Sequence, residues 1–363
     1  MSQKRALVLP GKILLGRGTL SEIGERASEY GSKALLIAHA EDRERVRDIL
    51  DESSARCGVE FLYADFPGEC CGSVVADLKN FCVDAEAGLV IGLGGGKGID
   101  TAKIIADHLN LPMFSVPTTA ATDAPCSSLA ITYDEEHHFV GPVRLRRNPA
   151  LVLIDTDIIA KAPERFLVSG MGDAFPTFFE ARACRRANIL NNGGLSSLCA
   201  YGLAELCLKT LLEKGEEALM ACRCNVATPA FEDIVEVNIV MSGIGFESVG
   251  VAAAHGLAGA LESLGATRAL HGETVAFGAL VQFVLENAPR DEIRTALDFY
   301  RKVGLPLRLS DIGIENPSRE AIERASELAC APGSVVHNMP FEVTPRMVAC
   351  ALVAADKLAD IYF

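Results

Sequence analysis

Short apolar runs alternate with polar amphipathic stretches throughout the first part of the chain. This alternation predicts parallel strands that are joined by crossover helices. The strands are predicted at residues 34–38, 60–64, 88–91, 113–116 and 151–154. Helices between the first four strands are predicted at residues 41–50, 73–82 and 98–107. Residues 1–158 are therefore predicted to form an α/β domain around a parallel sheet.

The pattern changes from about residue 160 onward. Leu, Ala and Glu dominate, strand signals vanish, and helical periodicity returns with Gly and Pro as breaks. Helices are predicted to begin near Pro163, Gly194, Thr228, His271, Pro289, Pro317 and Thr344. Residues 159–363 are therefore predicted to form an all-helical domain.

Composition limits the partners and the surroundings that suit this chain. It has 363 residues, of which 49% are hydrophobic, and it carries a formal net charge of -14. That length favours two domains, and the negative charge argues against binding to nucleic acid or to anionic membranes. We see no signal peptide and no uninterrupted apolar span, and the 12 scattered cysteines are interpreted as reduced core residues. A cytoplasmic enzyme that acts on a small molecule is expected.

A glycine-rich loop lies between the third predicted strand and the helix that follows it. It reads Gly94-Gly95-Gly96-Lys97. Glycines at this place let backbone N–H groups approach a pyrophosphate, and the helix N-terminus adds positive partial charge. The loop is neither G-x-G-x-x-G nor a P-loop, because Gly98 follows the lysine. A tight strand-to-helix turn without a ligand is the alternative interpretation.

A second polar loop, residues 117–128, follows the next predicted strand. The carboxyl ends of parallel strands are where open sheets present ligand-binding groups. Its hydroxyl groups could equally cap turns and helices. Both interpretations stay open from the residues alone.

Three residues of the helical half form a candidate metal site. Asp173 and His255 lie in apolar segments, and His271 opens a predicted helix. One carboxylate and two neutral imidazoles give three ligands and leave a fourth position open, as catalytic zinc requires. No short histidine spacing connects them, and each alone also fits a helix cap or a paired core residue.

With these loops and Asp173 in view, the sequence resembles the glycerol dehydrogenases, within the iron-containing alcohol dehydrogenase group. The resemblance covers nearly the whole chain. Its motifs include Gly94-Gly95-Gly96-Lys97, Asp100-Thr101-Ala102-Lys103, Thr122-Asp123-Ala124-Pro125-Cys126-Ser127, Gly172-Asp173-Ala174, Phe179-Glu180-Ala181-Arg182-Ala183-Cys184 and His271-Gly272-Glu273. It implies a Rossmann-like α/β domain followed by an all-α domain, the dehydroquinate synthase-like fold.

The resemblance also implies a function and a set of site residues. It implies zinc on Asp173, His255 and His271, and it implies that Asp123 meets the polyol. NAD is implied over the glycine loop, at positions that comprise His39, Gly94, Gly95, Gly96, Lys97, Asp100, Thr118, Thr119, Ser127, Leu129 and Tyr133. The implied reaction is the reversible, NAD-dependent and zinc-assisted oxidation of glycerol, or of a related small polyol or vicinal diol, to the hydroxyketone. A homo-oligomer is implied as well.

Two departures from the family pattern affect the cofactor and the metal. Relatives hold the adenosine ribose with an aspartate where this chain has His39, so the 2′-hydroxyl lacks its expected acceptor. Glu41 and Asp42 nearby disfavour a 2′-phosphate, which favours NAD over NADP. Iron-type relatives carry a further histidine where this chain has Thr177, which favours zinc.

Two other functions compete with a polyol dehydrogenase. One is a carbocycle-forming lyase of the dehydroquinate synthase type, which also uses NAD and a metal. Such a lyase needs Lys and Arg residues that converge on an anionic substrate, and the sequence near the metal motifs has few. The other is a cofactor-binding protein without catalytic activity, against which the complete ligand set argues.

Overall fold

The computed structural model describes residues 4–363, and its largest sheet has six parallel strands. The strands are β1 Arg5–Ala6, β2 Ile13–Gly16, β3 Lys33–Ala38, β4 Glu60–Asp65, β5 Leu89–Gly94, β6 Met113–Pro117, β7 Leu129–Tyr133, β8 Phe139–Arg144, β9 Leu151–Asp155 and β10 Leu195–Ser196. The large sheet has the order β2-β9-β6-β5-β3-β4, β1 pairs with β10, and β7 forms an antiparallel hairpin with β8.

All five predicted strands lie in this sheet, each within a few residues of its predicted bounds. The sequence analysis missed β2, whose apolar run, Ile13-Leu14-Leu15, is only three residues long. It also missed the hairpin, whose outer strand β8 is mostly exposed. The fold class, a parallel α/β part followed by a helical part, is confirmed.

Helices fill the remainder of the chain. They are α1 Ile23–Ser28, α2 Ala40–Cys57, α3 Gly72–Asp84, α4 Gly96–Leu109, α5 Thr156–Ile159, α6 Glu164–Ala174, α7 Thr177–Arg186, α8 Leu198–Arg223, α9 Pro229–Glu236, α10 Ser242–Val249, α11 Ala253–Gly256, α12 Ala258–Ser263, α13 His271–Glu286, α14 Arg290–Val303, α15 Arg319–Ala329, α16 Pro345–Ala355 and α17 Leu358–Tyr362. The helix expected near Gly194 begins later, at Leu198, because β10 occupies the residues between.

The chain divides into two compact units, each built from more than one stretch of sequence. The sheet unit comprises Val8–Pro163 and Ala221–Gly243, and the helical unit comprises Met1–Leu7, Glu164–Met220 and Ile244–Phe363. The sequence analysis divided the chain once, between residues 158 and 159, and that division stays a prediction.

Alternating residues of the sheet build two hydrophobic cores, one on each face. Leu36 and Ile91 belong to one core, whereas their neighbours Leu35 and Val90 belong to the other. This period of two is the property of a strand that is buried on both faces. Because the strands are parallel, the loops after β3, β5 and β6 leave the sheet at the same edge.

In the helical unit, α13 packs against α6, α11 and α16. Its residues from Thr274 to Phe283 are buried, which fits a helix that is apolar on all sides. Within residues 4–363, no single helix has the length and apolar character needed to cross a membrane. One strongly bent pair, Pro229–Val249 with Ala253–Ser263, passes that test by length and composition alone.

Candidate metal and dinucleotide sites

The three candidate metal ligands lie together in the helical unit. The Nε2 atom of His255 is 3.2 Å from Oδ1 of Asp173, and the Nε2 atom of His271 is 3.5 Å from the same oxygen. One possible ligand atom from each residue lies within 4.8 Å of the other two. Asp173 and His271 are 98 positions apart in sequence, and the fold nevertheless brings their possible ligand atoms together.

A close crossing of α6 and α13 brings Asp173 beside His271. Gly172 directly precedes Asp173, and Gly272 directly follows His271. The two glycines meet at the crossing. A Cβ atom built on Gly272 would lie 1.7 Å from the carbonyl oxygen of Ser169, and one on Gly172 would lie 2.4 Å from the carbonyl oxygen of Gly272. The two backbones can approach this closely only because neither glycine has a side chain.

Glu180 contacts His255 from the side opposite Asp173. Its Oε2 atom is 2.5 Å from Nδ1 of His255, and its Oε1 atom accepts hydrogen bonds from backbone N–H groups of the same segment. Glu180 lies in the family motif but was not assigned a role from sequence. The sequence signal that could have indicated a role for Glu180 was its carboxylate within the apolar stretch Phe178-Phe179-Glu180-Ala181.

The charges around His255 fit a cation. Asp173 and Glu180 are buried, with 1% and 0% of their surface exposed. Burial by itself lowers the pKa of His255, but the two carboxylates outweigh it and the pKa lies well above its usual value. The site therefore attracts positive charge, and its carboxylate and imidazole donors are those that divalent zinc or iron takes.

The glycine loop has the shape that a phosphate cradle needs. Gly94 ends β5 with φ 143°, a value that side chains rarely allow, and Gly95 caps α4. No atom of residues 4–363, apart from chain neighbours and the helix itself, lies within 4 Å of a Cβ built on Gly95. Gly95 therefore faces open space, directly before the N-terminus of a 14-residue helix.

Lys97 makes contacts within the protein. Its Nζ atom is 2.7 Å from Oε2 of Glu69 and 4.1 Å from the centre of the Tyr133 ring. Glu69 also lies 2.8 Å from Nδ1 of His137, in the turn of the hairpin. Lys97 thus connects the glycine loop with the β7–β8 hairpin, while a role in cofactor binding stays a prediction.

Asp100 and Lys103 form a buried ion pair on α4, with Nζ of Lys103 3.0 Å from Oδ1 of Asp100. The second oxygen of Asp100 accepts from the N–H of Ile131, and Lys103 donates to the carbonyl of Leu129. The pair therefore holds β7 against the helix that begins at the glycine loop. Asp100 was predicted to bind cofactor, and that role stays a prediction.

The polar loop after β6 lies beside the glycine loop. The N–H of Thr118 donates to the carbonyl of Gly94 at 3.1 Å. Thr118 is buried and Thr119 is half-buried, Ser127 is buried with its hydroxyl against the backbone of Leu129, and Leu129 and Tyr133 are half-buried. The predicted cofactor positions from both loops therefore lie in neighbouring segments of the sheet unit.

Asp123 is buried in the sheet unit and accepts a hydrogen bond of 2.6 Å from the hydroxyl of Ser242. The turn at residues 134–138 holds a second group of possible ligands, Asp134, Glu136 and His138. There, Asp134 accepts hydrogen bonds from the backbone of the other two residues. That arrangement is a polar turn, with two of its three side chains exposed.

His39 stands at the carboxyl end of β3, directly before α2. It is exposed, and its ring packs edge-on against Phe66 with the centroids 5.0 Å apart. Asp42, in the first turn of α2, lies 3.4 Å from a Cβ built on Gly94. Negative charge thus lies next to the glycine loop, although residue 39 is not a carboxylate.

Comparisons with known proteins agree with this architecture. Residues 10–156 match the family model of the iron-containing alcohol dehydrogenases. The chain is 40% identical to a glycerol dehydrogenase of Escherichia coli, with 97% of each chain covered. It is 38% identical to a glycolaldehyde reductase of Halobacterium salinarum, with 96% of each covered.

A solved structure extends the likeness to three dimensions. The glycerol dehydrogenase of Schizosaccharomyces pombe superposes with a TM-score of 0.95 at 34% identity, over 99% of this chain and 92% of the other. The chain therefore belongs to the iron-containing alcohol dehydrogenase family and, within it, to the glycerol dehydrogenases.

Proposed function

We propose that this protein catalyses the reversible, NAD-dependent oxidation of glycerol, or of a related small vicinal diol, to the hydroxyketone, with zinc as its metal. The observation that carries the proposal is the convergence of Asp173, His255 and His271 in a chain whose relatives are glycerol dehydrogenases. In the reaction the alcohol carbon loses a hydride to the cofactor and its hydroxyl loses a proton, so the ketone forms.

Asp173, His255 and His271 would hold the metal. A bound divalent ion supplies a Lewis acid that favours ionisation of the substrate hydroxyl. Asp173 contributes the negative charge, and the two imidazoles contribute neutral donors that leave room for substrate. Thr177 is buried at the start of α7 and has no imidazole to offer, which supports zinc over iron.

The glycine loop and the hairpin would hold the cofactor. Bound NAD supplies the nicotinamide ring that accepts the hydride. The N–H groups at the start of α4 bind pyrophosphate, and Gly95 leaves the space for it. Asp42 disfavours the extra phosphate of NADP by charge repulsion.

Asp123 would bind the hydroxyl group next to the reacting carbon. Its hydrogen bond from Ser242 fixes one carboxylate oxygen. The carboxylate can accept a hydrogen bond from a second substrate hydroxyl, which explains a preference for vicinal diols over simple alcohols.

A spectrophotometric screen tests the proposed function. Reduction of NAD and of NADP is followed with glycerol, 1,2-propanediol, 2,3-butanediol and ethanol, and the reverse reaction with dihydroxyacetone, the hydroxyketone that glycerol yields. We expect the diols with NAD to be preferred, activity to disappear with a chelator, and zinc to restore it better than ferrous iron. Chelator-resistant activity, or equal rates with ethanol, would contradict the proposal.

Gly95→Ala distinguishes a phosphate cradle from a ligand-free turn. The new methyl group fills the space where the pyrophosphate binds, so we expect the dissociation constant of NAD to rise by about tenfold, or about 1.4 kcal/mol. The free energy of unfolding should change little, because the methyl group meets no protein atom. Calorimetric titration with NAD and urea unfolding measure the two effects.

Gly72→Ala is the matched control, since a Cβ there also points into open space, at the start of another helix of the sheet unit. We expect it to bind NAD like the parent. Equal NAD affinity in Gly95→Ala and the parent would favour the ligand-free turn.

His39→Asp is expected to strengthen NAD binding. A carboxylate at the end of β3 accepts a hydrogen bond from the ribose hydroxyl, and a hydrogen bond to a charged group contributes about 1.5–3 kcal/mol, so affinity should rise about 10- to 100-fold. His39→Asn is the control, because it removes the ring without adding a charge. A variant His39→Asp that binds NAD no more tightly than His39→Asn would contradict this assignment.

The cytoplasmic location and the homo-oligomeric assembly are further proposals. Light scattering of the purified protein tests the assembly.

A further inference from the structure

We infer that Glu180 is a positioning residue, which accepts a hydrogen bond from Nδ1 of His255 and so holds the ring with its Nε2 atom toward Asp173 and the proposed metal. The inference deepens the proposed function, since it rests on the metal site proposed there. One carboxylate oxygen of Glu180 accepts hydrogen bonds from the backbone of residues 252–255, and the other contacts the imidazole ring of His255.

The first oxygen fixes the backbone. Oε1 accepts hydrogen bonds from the N–H groups of Ala252, at 2.8 Å, and His255, at 3.0 Å. Glu180 is wholly buried, so its carboxylate cannot exchange these donors for bulk water. Two fixed amides at either end of the segment 252–255 leave it little freedom to shift.

The backbone needs these acceptors because the chain breaks between two helices here. α10 ends at Val249, Gly250 has φ 112°, and α11 begins at Ala253. The first N–H groups of a helix have no partner within that helix, and leaving them unpaired in a core is costly. The N–H of Ala254 is satisfied separately, by Oε1 of Gln282 at 3.0 Å.

The second oxygen fixes the ring. Oε2 lies 2.5 Å from Nδ1 of His255, and a carboxylate oxygen can only accept there, so Nδ1 carries the proton. In the metal-bound site Nε2 would then supply the lone pair, and it lies 3.2 Å from Oδ1 of Asp173, another proposed ligand. Histidines that bind metals commonly donate a hydrogen bond from the N–H of their second ring nitrogen to a carboxylate in this way.

Glu180→Gln separates the two tasks. The amide oxygen can keep both backbone hydrogen bonds, whereas the amide NH₂ group then faces Nδ1 and donates to it. That contact favours the tautomer with the proton on Nε2, the nitrogen that must be free. We expect the dissociation constant of zinc, measured by chelator competition, to rise about 10- to 100-fold.

Glu292→Gln is the matched control. Glu292 pairs with Arg182 in the same unit and has no hydrogen bond to the segment 252–255. We expect its zinc affinity to equal that of the parent. An equal loss in both variants would overturn the inference, because general destabilisation would then explain it.

A spectroscopic measurement tests the position of the proton directly. In ¹⁵N-histidine-labelled, zinc-saturated protein, the chain's seven histidines allow the His255 signals to be assigned by their loss in His255→Asn. We expect an Nδ1–H in a strong, charge-assisted hydrogen bond in the parent, and we expect that strong hydrogen bond to be lost in Glu180→Gln, where a neutral amide replaces the carboxylate. An unchanged zinc affinity and an unchanged Nδ1 signal would overturn the inference.

The same titrations distinguish this failure from a failure of the metal site. If Asp173→Asn loses zinc while Glu180→Gln retains it with parental affinity, only the role of Glu180 is wrong. If Asp173→Asn itself retains zinc with parental affinity, the metal site is wrong as well.

Discussion

Replacing Asp173 by asparagine is expected to remove zinc from the purified protein and to lower kcat/KM by on the order of a thousandfold, since a metal Lewis acid contributes several kcal/mol. Asp173 is the only carboxylate of the three-ligand set, and both imidazoles face its Oδ1 atom. Asparagine keeps the size of the side chain but removes its charge. Elemental analysis and steady-state kinetics measure the two losses.

The variant should remain folded, because asparagine can still accept a hydrogen bond from His255 and adds no volume to α6. Circular dichroism and urea unfolding check this point. Asp298→Asn is a suitable control, since Asp298 is a partly exposed partner of Arg301 in the same unit. Full zinc content and full activity in Asp173→Asn would refute the proposed metal centre.

Replacing Gly272 by alanine is expected to lower the free energy of unfolding by about 3 kcal/mol or more, the upper end for overpacking. The new Cβ would lie 1.7 Å from the carbonyl oxygen of Ser169, whereas real Cβ atoms essentially never come within 3.0 Å of such an atom. The obstacle is the backbone of α6, so no side chain can rotate away. The two helices must separate, and Asp173 must move away from His271.

Zinc affinity should therefore fall together with stability, although alanine replaces none of the ligands. Urea unfolding and chelator competition measure the two effects. Gly202→Ala provides the control, because Gly202 lies in α8 and, within residues 4–363, a Cβ there meets no atom within 4 Å apart from its chain neighbours and the backbone of its own helix. We expect that variant to be as stable as the parent or slightly more so, by up to about 1 kcal/mol. Parental stability and zinc affinity in Gly272→Ala would contradict the close crossing.

Much of the sheet could be predicted because its signals are local. A strand that is buried on both faces is a short apolar run, and the four strands of this kind, β3, β5, β6 and β9, were all found, as was the partly buried edge strand β4. The glycine loop could be placed for the same reason, since glycine before an amphipathic helix is visible in consecutive residues. The hairpin β7–β8 was missed because its outer strand is exposed and carries little apolar pattern.

The sequence by itself determined the parallel α/β part, the helical part, the glycine loop and the types of residue that can bind a metal. Only the tertiary structure decided that Asp173, His255 and His271 point to one place, because a crossing of helices sets distances between residues that sequence separation does not encode. It also decided that Glu180 faces His255. The physical reason is that buried polar groups must find partners, and in a folded core those partners come from whichever segments pack against them.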